Sequence, residues 1–104
     1  MIKVSVFYPN EAGKKFDMVY YCCRHLPMVK QTLGDACRSV SAEQGLAGAA
    51  SGTPATYIAT GHLYFDTVEA FETAFNPHAP KIMADIPNYT DIKPIFQISE
   101  MKMS

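Results

Sequence analysis

The sequence predicts an α+β domain of the ferredoxin-like βαββαβ type, a four-stranded antiparallel sheet with two main helices on one face. Three observations lead there. A run rich in β-branched residues opens the chain at Ile2–Tyr8, an amphipathic helical stripe follows over Phe16–Leu33, and a strongly alternating strand at Tyr57–Phe65 runs straight into a second helix signal. At 104 residues the chain, 1–104, is one domain with a single core.

Ile2–Tyr8 is the first strand, and Pro9-Asn10-Glu11-Ala12-Gly13 is a turn. The first helix places Met18, Cys22, His25, Val29 and Leu33 at i, i+4, i+7, i+11 and i+15, one stripe with an imidazole in its middle. Pro27 removes a backbone donor and crowds the carbonyl of Cys23, so the helix is expected to kink or open beside His25. Gly34 ends it. Cys37–Gln44 is a weaker, partly polar strand suited to a sheet edge, and Gly45–Pro54 is a turn-rich, mobile loop joining two antiparallel strands. In the next strand Tyr57, Ala59, Gly61, Leu63 and Phe65 share one face, and Ile58, Thr60, His62 and Tyr64 the other. Asp66-Thr67-Val68-Glu69 matches a capping box with Asp66 as the cap, opening a helix whose core residues are Val68, Phe71 and Phe75. A short helix over Pro80–Asp85, an irregular return through Pro87-Asn88-Tyr89-Thr90 and a last strand over Pro94–Met103 complete the order. The second face of the sheet is expected to carry Val, Phe, Tyr, Ile and Met among polar residues. Nothing remains in the chain to cover it, which predicts a homodimer packed face to face.

Composition removes several classes. The net charge is −1 with no basic run and no Trp, which disfavours nucleic acid, base stacking and anionic membrane as partners. No apolar run is long enough to span a bilayer, and the N-terminus reads as neither signal nor transit peptide. Three cysteines, two of them adjacent, make no disulfide framework, so the expected compartment is the reducing cytoplasm. There is no Gly-x-Gly-x-x-Gly after a strand, no Walker loop, no nucleophile-elbow serine and no histidine pair at metal-ligand spacing. No cofactor or metal is therefore expected. What remains is an aromatic-rich interior containing few neutral-pH proton carriers, which describes a small-molecule pocket.

His25 and His62 are the candidate catalytic groups, and Tyr21, Tyr64, His78, Asp85 and Tyr89 the candidate ligand-binding ones. Each has a plainer role beside it. His25 could bond a backbone carbonyl freed by Pro27, His62 could be a cross-strand partner, and His78 could be merely exposed. Asp85 could orient a histidine or cap the turn through Pro87-Asn88, and Tyr89 could be packing.

Three motifs carry a resemblance over essentially the whole chain: Tyr20-Tyr21 followed by His25-Leu26-Pro27, the run Gly61-His62-Leu63-Tyr64-Phe65-Asp66, and Ala84-Asp85-Ile86-Pro87-Asn88-Tyr89-Thr90-Asp91. Together they resemble the EthD family, named for ethyl tert-butyl ether degradation. The resemblance implies a dimeric α+β barrel, a fold shared with cofactor-free monooxygenases, lactone isomerases and polyketide cyclases. It also implies that His25 faces a pocket, and that His62, Asp85 and Tyr89 are positions the family tends to share. Two functions stay open on the sequence. One is cofactor-free acid–base chemistry on a small hydrophobic, oxygen-bearing metabolite: isomerisation, cyclisation, decarboxylation or support of an oxidative degradation. The other is non-catalytic binding or delivery of such a molecule to a degradative oxygenase.

Overall fold

A computed structural model describes residues 1–104. Four antiparallel strands, β1 (Ile2–Pro9), β2 (Ser39–Gln44), β3 (Tyr57–Phe65) and β4 (Ile95–Glu100), lie in the order β2-β3-β1-β4. The two long-range crossovers, β1 to β2 and β3 to β4, each carry helix, which is the ferredoxin-like arrangement. Ile2, Val4 and Val6 of β1 stand opposite Phe65, Leu63 and Gly61 of β3 and, on the other side, Glu100, Ile98 and Phe96 of β4. By strand alternation these residues share the face that the helices cover.

The first crossover is a continuous helical run in three parts: α1 (Met18–Tyr20), a π-helical turn (Tyr21–His25) and α2 (Leu26–Leu33). Asp17 caps it, its carboxylate accepting from the Tyr20 N–H at 3.0 Å. In the π turn the Leu26 N–H reaches the Tyr21 carbonyl, five residues back. The turn sits directly before Pro27, whose ring would collide with a carbonyl held at α-helical spacing, so the local opening expected there takes this form. The added residue shifts the register of the stripe: Tyr21, His25, Leu26, Val29 and Leu33 are buried, and Cys22, expected on the core face, is exposed. Gly34 stops the run at φ 67°, a conformation that costs other residues dearly.

The second crossover contains α3 (Val68–Phe75), a 3-10 turn (Asn76–His78) and α4 (Ala79–Ala84). Its cap is Thr67, which accepts from the Ala70 N–H at 3.0 Å; Asp66, expected there, instead pairs with Arg38 at 2.7 Å. The loop between β2 and β3 joins antiparallel neighbours as expected. The last strand stops at Glu100 rather than Met103: its register against β1, its only neighbour, ends at the Ile2–Glu100 pair, with one further hydrogen bond from the Met101 N–H to the Met1 carbonyl at 3.1 Å.

The uncovered face of the sheet is more polar than the sequence pattern suggested. Phe7, Ile58, Tyr64 and Ile95 stand there among Lys3, Ser5, Thr60, His62 and Gln97, while Val4, Val6 and Val40 face the helices.

One contact fixes how closely the first helix lies on the sheet. The Tyr21 phenol rests on Gly61, and a Cβ at that position would collide with its oxygen and press on its ring. Tyr21 is only 1% exposed and cannot swing away. Gly61→Ala is expected to destabilise the protein by about 1–3 kcal/mol, the usual range for overpacking. Adding Tyr21→Phe should restore part of that loss, a coupling that denaturant unfolding of the double-mutant cycle measures.

Candidate active site

Between the helices and the sheet lies a cavity of about 390 Å³. Val4, Val6 and Leu63 form its floor, and Val29, Phe71 and Ile82 belong to its helical walls. Of its lining residues only His25 and Gly61 are not hydrophobic or aromatic, and two tyrosines, Tyr8 and Tyr21, bring hydroxyl groups to it. Polar chemistry is thus confined to the place where β1, β3 and the π turn converge.

His25 is 5% exposed. Its Nδ1 lies 2.8 Å from Asp85 Oδ2. The other carboxylate oxygen, Oδ1, accepts from the Tyr20 hydroxyl at 2.7 Å and from the Asn88 side-chain amide at 2.9 Å. Burial pushes the Asp85 carboxyl up, but the hydrogen bonds from Asn88, His25 and Tyr20 outweigh it and hold the group below its ordinary 3.8. Asp85 is therefore ionised at neutral pH and can only accept. It follows that Nδ1 of His25 carries the proton, and in the neutral ring Nε2 carries the free lone pair. Burial lowers the imidazole below its ordinary 6.5 against the opposing pull of Asp85, so the neutral form is the one present at pH 7.

Chain segments distant in sequence are stitched together to make this pair. The Asp17 N–H donates to the Tyr89 carbonyl at 2.8 Å, the Thr90 hydroxyl to the Lys15 carbonyl at 2.6 Å, and the Lys15 N–H to the Asp91 carboxylate at 2.9 Å. The 3-10 turn Ile86–Asn88, which follows Asp85, is thereby pinned against the start of the first helix. Aromatic packing tightens the join: the Tyr89 ring lies 4.6 Å from His25 and 5.1 Å from Tyr21 between centroids, and the Tyr21 and His25 rings stack within 14° of parallel.

Behind the cavity the Tyr8 and Tyr89 hydroxyls are 2.6 Å apart. Burial raises the pKa values of Tyr8, Tyr21 and Tyr89 well above the ordinary 10, so all three are neutral phenols. Tyr21 takes no part in the hydrogen bonds of Asp85 with its three donors, and its hydroxyl has that of Tyr8 as a partner.

The structure thus brings together His25, Tyr21, Asp85 and Tyr89. It does not bring His62 or Tyr64 to them. His62 points to the other face of the sheet, its Nδ1 2.8 Å from Ser5 Oγ and its Nε2 2.9 Å from Glu43 Oε1, and Tyr64 Oη lies 3.3 Å from Ser41 Oγ on that same face. His78 is exposed in its 3-10 turn and does not line the cavity. His25 bonds a carboxylate rather than a backbone carbonyl, and Asp85 does both things expected of it, orienting a histidine and closing the turn through Asn88. Sequence reasoning missed Tyr8, Tyr20, Gly61 and Asn88. Tyr8 could have been found as the polar-tipped end of the Val4–Val6 face; Asn88 and Tyr20 carry no periodic signal of their own.

A model of the EthD domain matches residues 12–93. The chain belongs to the EthD family. It is 48% identical to an EthD-like protein from Ralstonia eutropha JMP134 whose crystal structure superposes with a TM-score of 0.95, covering 99% of this chain and 93% of that one. An ethyl tert-butyl ether degradation (EthD) family protein from Bacillus halodurans C-125 is similar in fold at 15% identity and a TM-score of 0.73, over 97% of this chain and 98% of that one. HapK from Hahella chejuensis shares the fold more distantly, at 8% identity and a TM-score of 0.53, covering 98% and 95%. No curated protein matches. The EthD assignment agrees with the α+β architecture and with the three sequence motifs.

The buried dyad makes stability depend on pH with a definite sign. The unfolded chain takes up a proton at histidine near 6.5, the folded one only lower, so stability falls as pH drops below about 6.5 and levels once the folded imidazole is protonated. Asp85 adds a further loss below its unfolded value of 3.8, as pH falls through the folded one. Denaturation midpoints measured from about pH 7.5 to pH 5 should decline in the native protein and flatten over that window in His25→Gln.

Proposed function

We propose that this EthD-family protein binds a small, hydrophobic, oxygen-bearing compound in the His25 cavity and moves a proton to or from it without a cofactor. The observation that carries this reading is the 2.8 Å His25–Asp85 pair at the polar end of an otherwise apolar cavity. A carboxylate on Nδ1 fixes the tautomer, leaves Nε2 as the base and stabilises the imidazolium formed when it accepts a proton. In this reading Tyr21 polarises the ligand oxygen, and Asp85, with Tyr89 packed behind, positions the histidine. Isomerisation, cyclisation, decarboxylation and support of an oxidation all use a group of this kind. His62 and Tyr64, across the sheet, would meet a ligand only on the opposite face, and His78 only at the surface.

The same reading makes the protein a cytoplasmic homodimer. Supporting it are the apolar residues left open on the sheet and on the edge strand β4, where Ile95, Phe96 and Ile98 are each about half exposed, and three cysteines that form no disulfide. No helix is long and apolar enough to cross a membrane. Light scattering at micromolar concentration should return twice the 11.5 kDa chain mass; a monomer would remove the dimer.

Purified protein incubated with an extract of host metabolites should consume at least one neutral apolar component, followed by mass spectrometry. His25→Gln should abolish that turnover while leaving the fold intact, because glutamine cannot take up the proton. If His25→Gln alters affinity and nothing else, the protein is a carrier rather than an enzyme.

A further inference from the structure

Two polar atoms on residues that line the cavity are not tied to the Asp85 carboxylate. One is Nε2 of His25, since Asp85 occupies Nδ1. The other is the Tyr21 hydroxyl, which makes no hydrogen bond to Asp85 and has the Tyr8 hydroxyl as its polar neighbour, although its residue is almost wholly buried. Both residues line the cavity, on rings stacked 5.7 Å apart between centroids. Gly61 is the bare seat that lets the phenol lie there. A buried hydroxyl donor beside a lone-pair nitrogen is the pair of groups needed to remove a proton from carbon next to a carbonyl: a base for the C–H and a donor for the oxygen on which charge collects.

The remainder of the cavity limits the molecule. It contains no Lys or Arg, so a carboxylate, phosphate or other anion would be desolvated there without a cationic partner. Its 390 Å³ lies near the lower end of small-molecule pockets, roughly 300–1,000 Å³. From this arrangement, and resting on the acid–base reading above, we infer that the substrate is a neutral, apolar ketone and that the reaction is a proton shift through its enol.

The step balances within the protein and its ligand. The α C–H bond breaks and its proton passes to His25 Nε2. The electron pair left behind forms the new C=C bond while the carbonyl π pair moves to oxygen, where the Tyr21 O–H donates a hydrogen bond to it. The imidazolium, facing Asp85, then returns the proton to carbon, at the same position or at the γ carbon of a β,γ-unsaturated ketone, and the carbonyl re-forms. Nothing is oxidised or reduced, and no second reactant is consumed. Tyr21 touches the reacting oxygen throughout; Gly61 acts through Tyr21 as a positioning residue.

Indanone, a neutral bicyclic ketone with one α-methylene, is a direct probe. In deuterated water the full-length protein should accelerate replacement of the α-hydrogens over buffer, read by proton NMR, with saturation at rising indanone. His25→Gln should return the rate to that of buffer. Tyr21→Phe should lower the saturated rate on the order of 100-fold, as loss of one oxyanion donor does, with half-saturation little changed. Circular dichroism of each variant guards against misfolding, and a carboxylated indanone should neither bind nor exchange. Binding of indanone, seen by saturation-transfer NMR, without accelerated exchange would overturn the enolisation and leave the binding cavity standing. Full exchange in Tyr21→Phe would overturn the role of the phenol. Absence of binding by indanone would overturn the neutral-ketone class, while His25-dependent turnover in the metabolite extract would still stand on its own.

Discussion

The ionised carboxylate of Asp85 is the point on which the arrangement of the site depends. It accepts from the Tyr20 phenol, the His25 imidazole and the Asn88 amide, three donors from three different local structures. Hydrogen bonds to a charged acceptor are worth about 1.5–3 kcal/mol each, and removing the acceptor would leave a buried imidazole N–H without a partner. This one side chain therefore ties the second crossover to the first helix, and at the same time decides which nitrogen of His25 carries the proton. Orientation and tautomer come from a single interaction.

That interaction would be out of reach without the π turn. Adding one residue to the first helix rotates Tyr21 onto the sheet and keeps His25 and Leu26 together on the buried side, while Cys22 and Cys23 turn to solvent. The helix loses ideal hydrogen-bond geometry over one turn, a cost offset by an aromatic cluster of Tyr8, Phe16, Tyr21 and Tyr89 with centroids about 5–6 Å apart. Pro27 fixes where the irregularity falls. Gly61, on the strand below, fixes how near the displaced phenol can come.

The two faces of the sheet use histidine differently. On the covered face His25 is desolvated, held by one carboxylate and open to a cavity. On the uncovered face His62 bridges Ser5 of β1 and Glu43 of β2 through both its ring nitrogens, with Thr60 also donating to Glu43. Both nitrogens of His62 are engaged, so it serves as a cross-strand link, the plainer of the two roles the sequence allowed it. A one-residue strand period is all that separates Gly61, which carries the phenol, from His62, which does not see it.

Strand and helix identity were legible in the chain because they follow from local periodicity. The alternation of Tyr57–Phe65 gave β3 to the residue, Gly34 gave the end of the first helix, and Pro27 marked where that helix would open. His25 was legible too, as a titratable group in a buried stripe. The order of the strands followed from connection rules, and the family motifs agreed with it. What periodicity could not supply was contact across the fold. Asp85 lies sixty positions from His25, Gly61 forty from Tyr21 in the numbering, and no spacing rule joins residues so far apart. Nor could alternation say which face of β3 the helices would cover, which is why His62 and Tyr64 stayed open as possible partners of His25. The cap at Thr67 in place of Asp66 has the same origin, since Arg38 draws Asp66 away from across the sheet edge. Local pattern along the chain was enough for the elements, their order and a titratable histidine on a buried stripe, because those are properties of one segment at a time. The tautomer of that histidine and its partners came from the packed fold, because a hydrogen bond is set by distance in space and not along the chain.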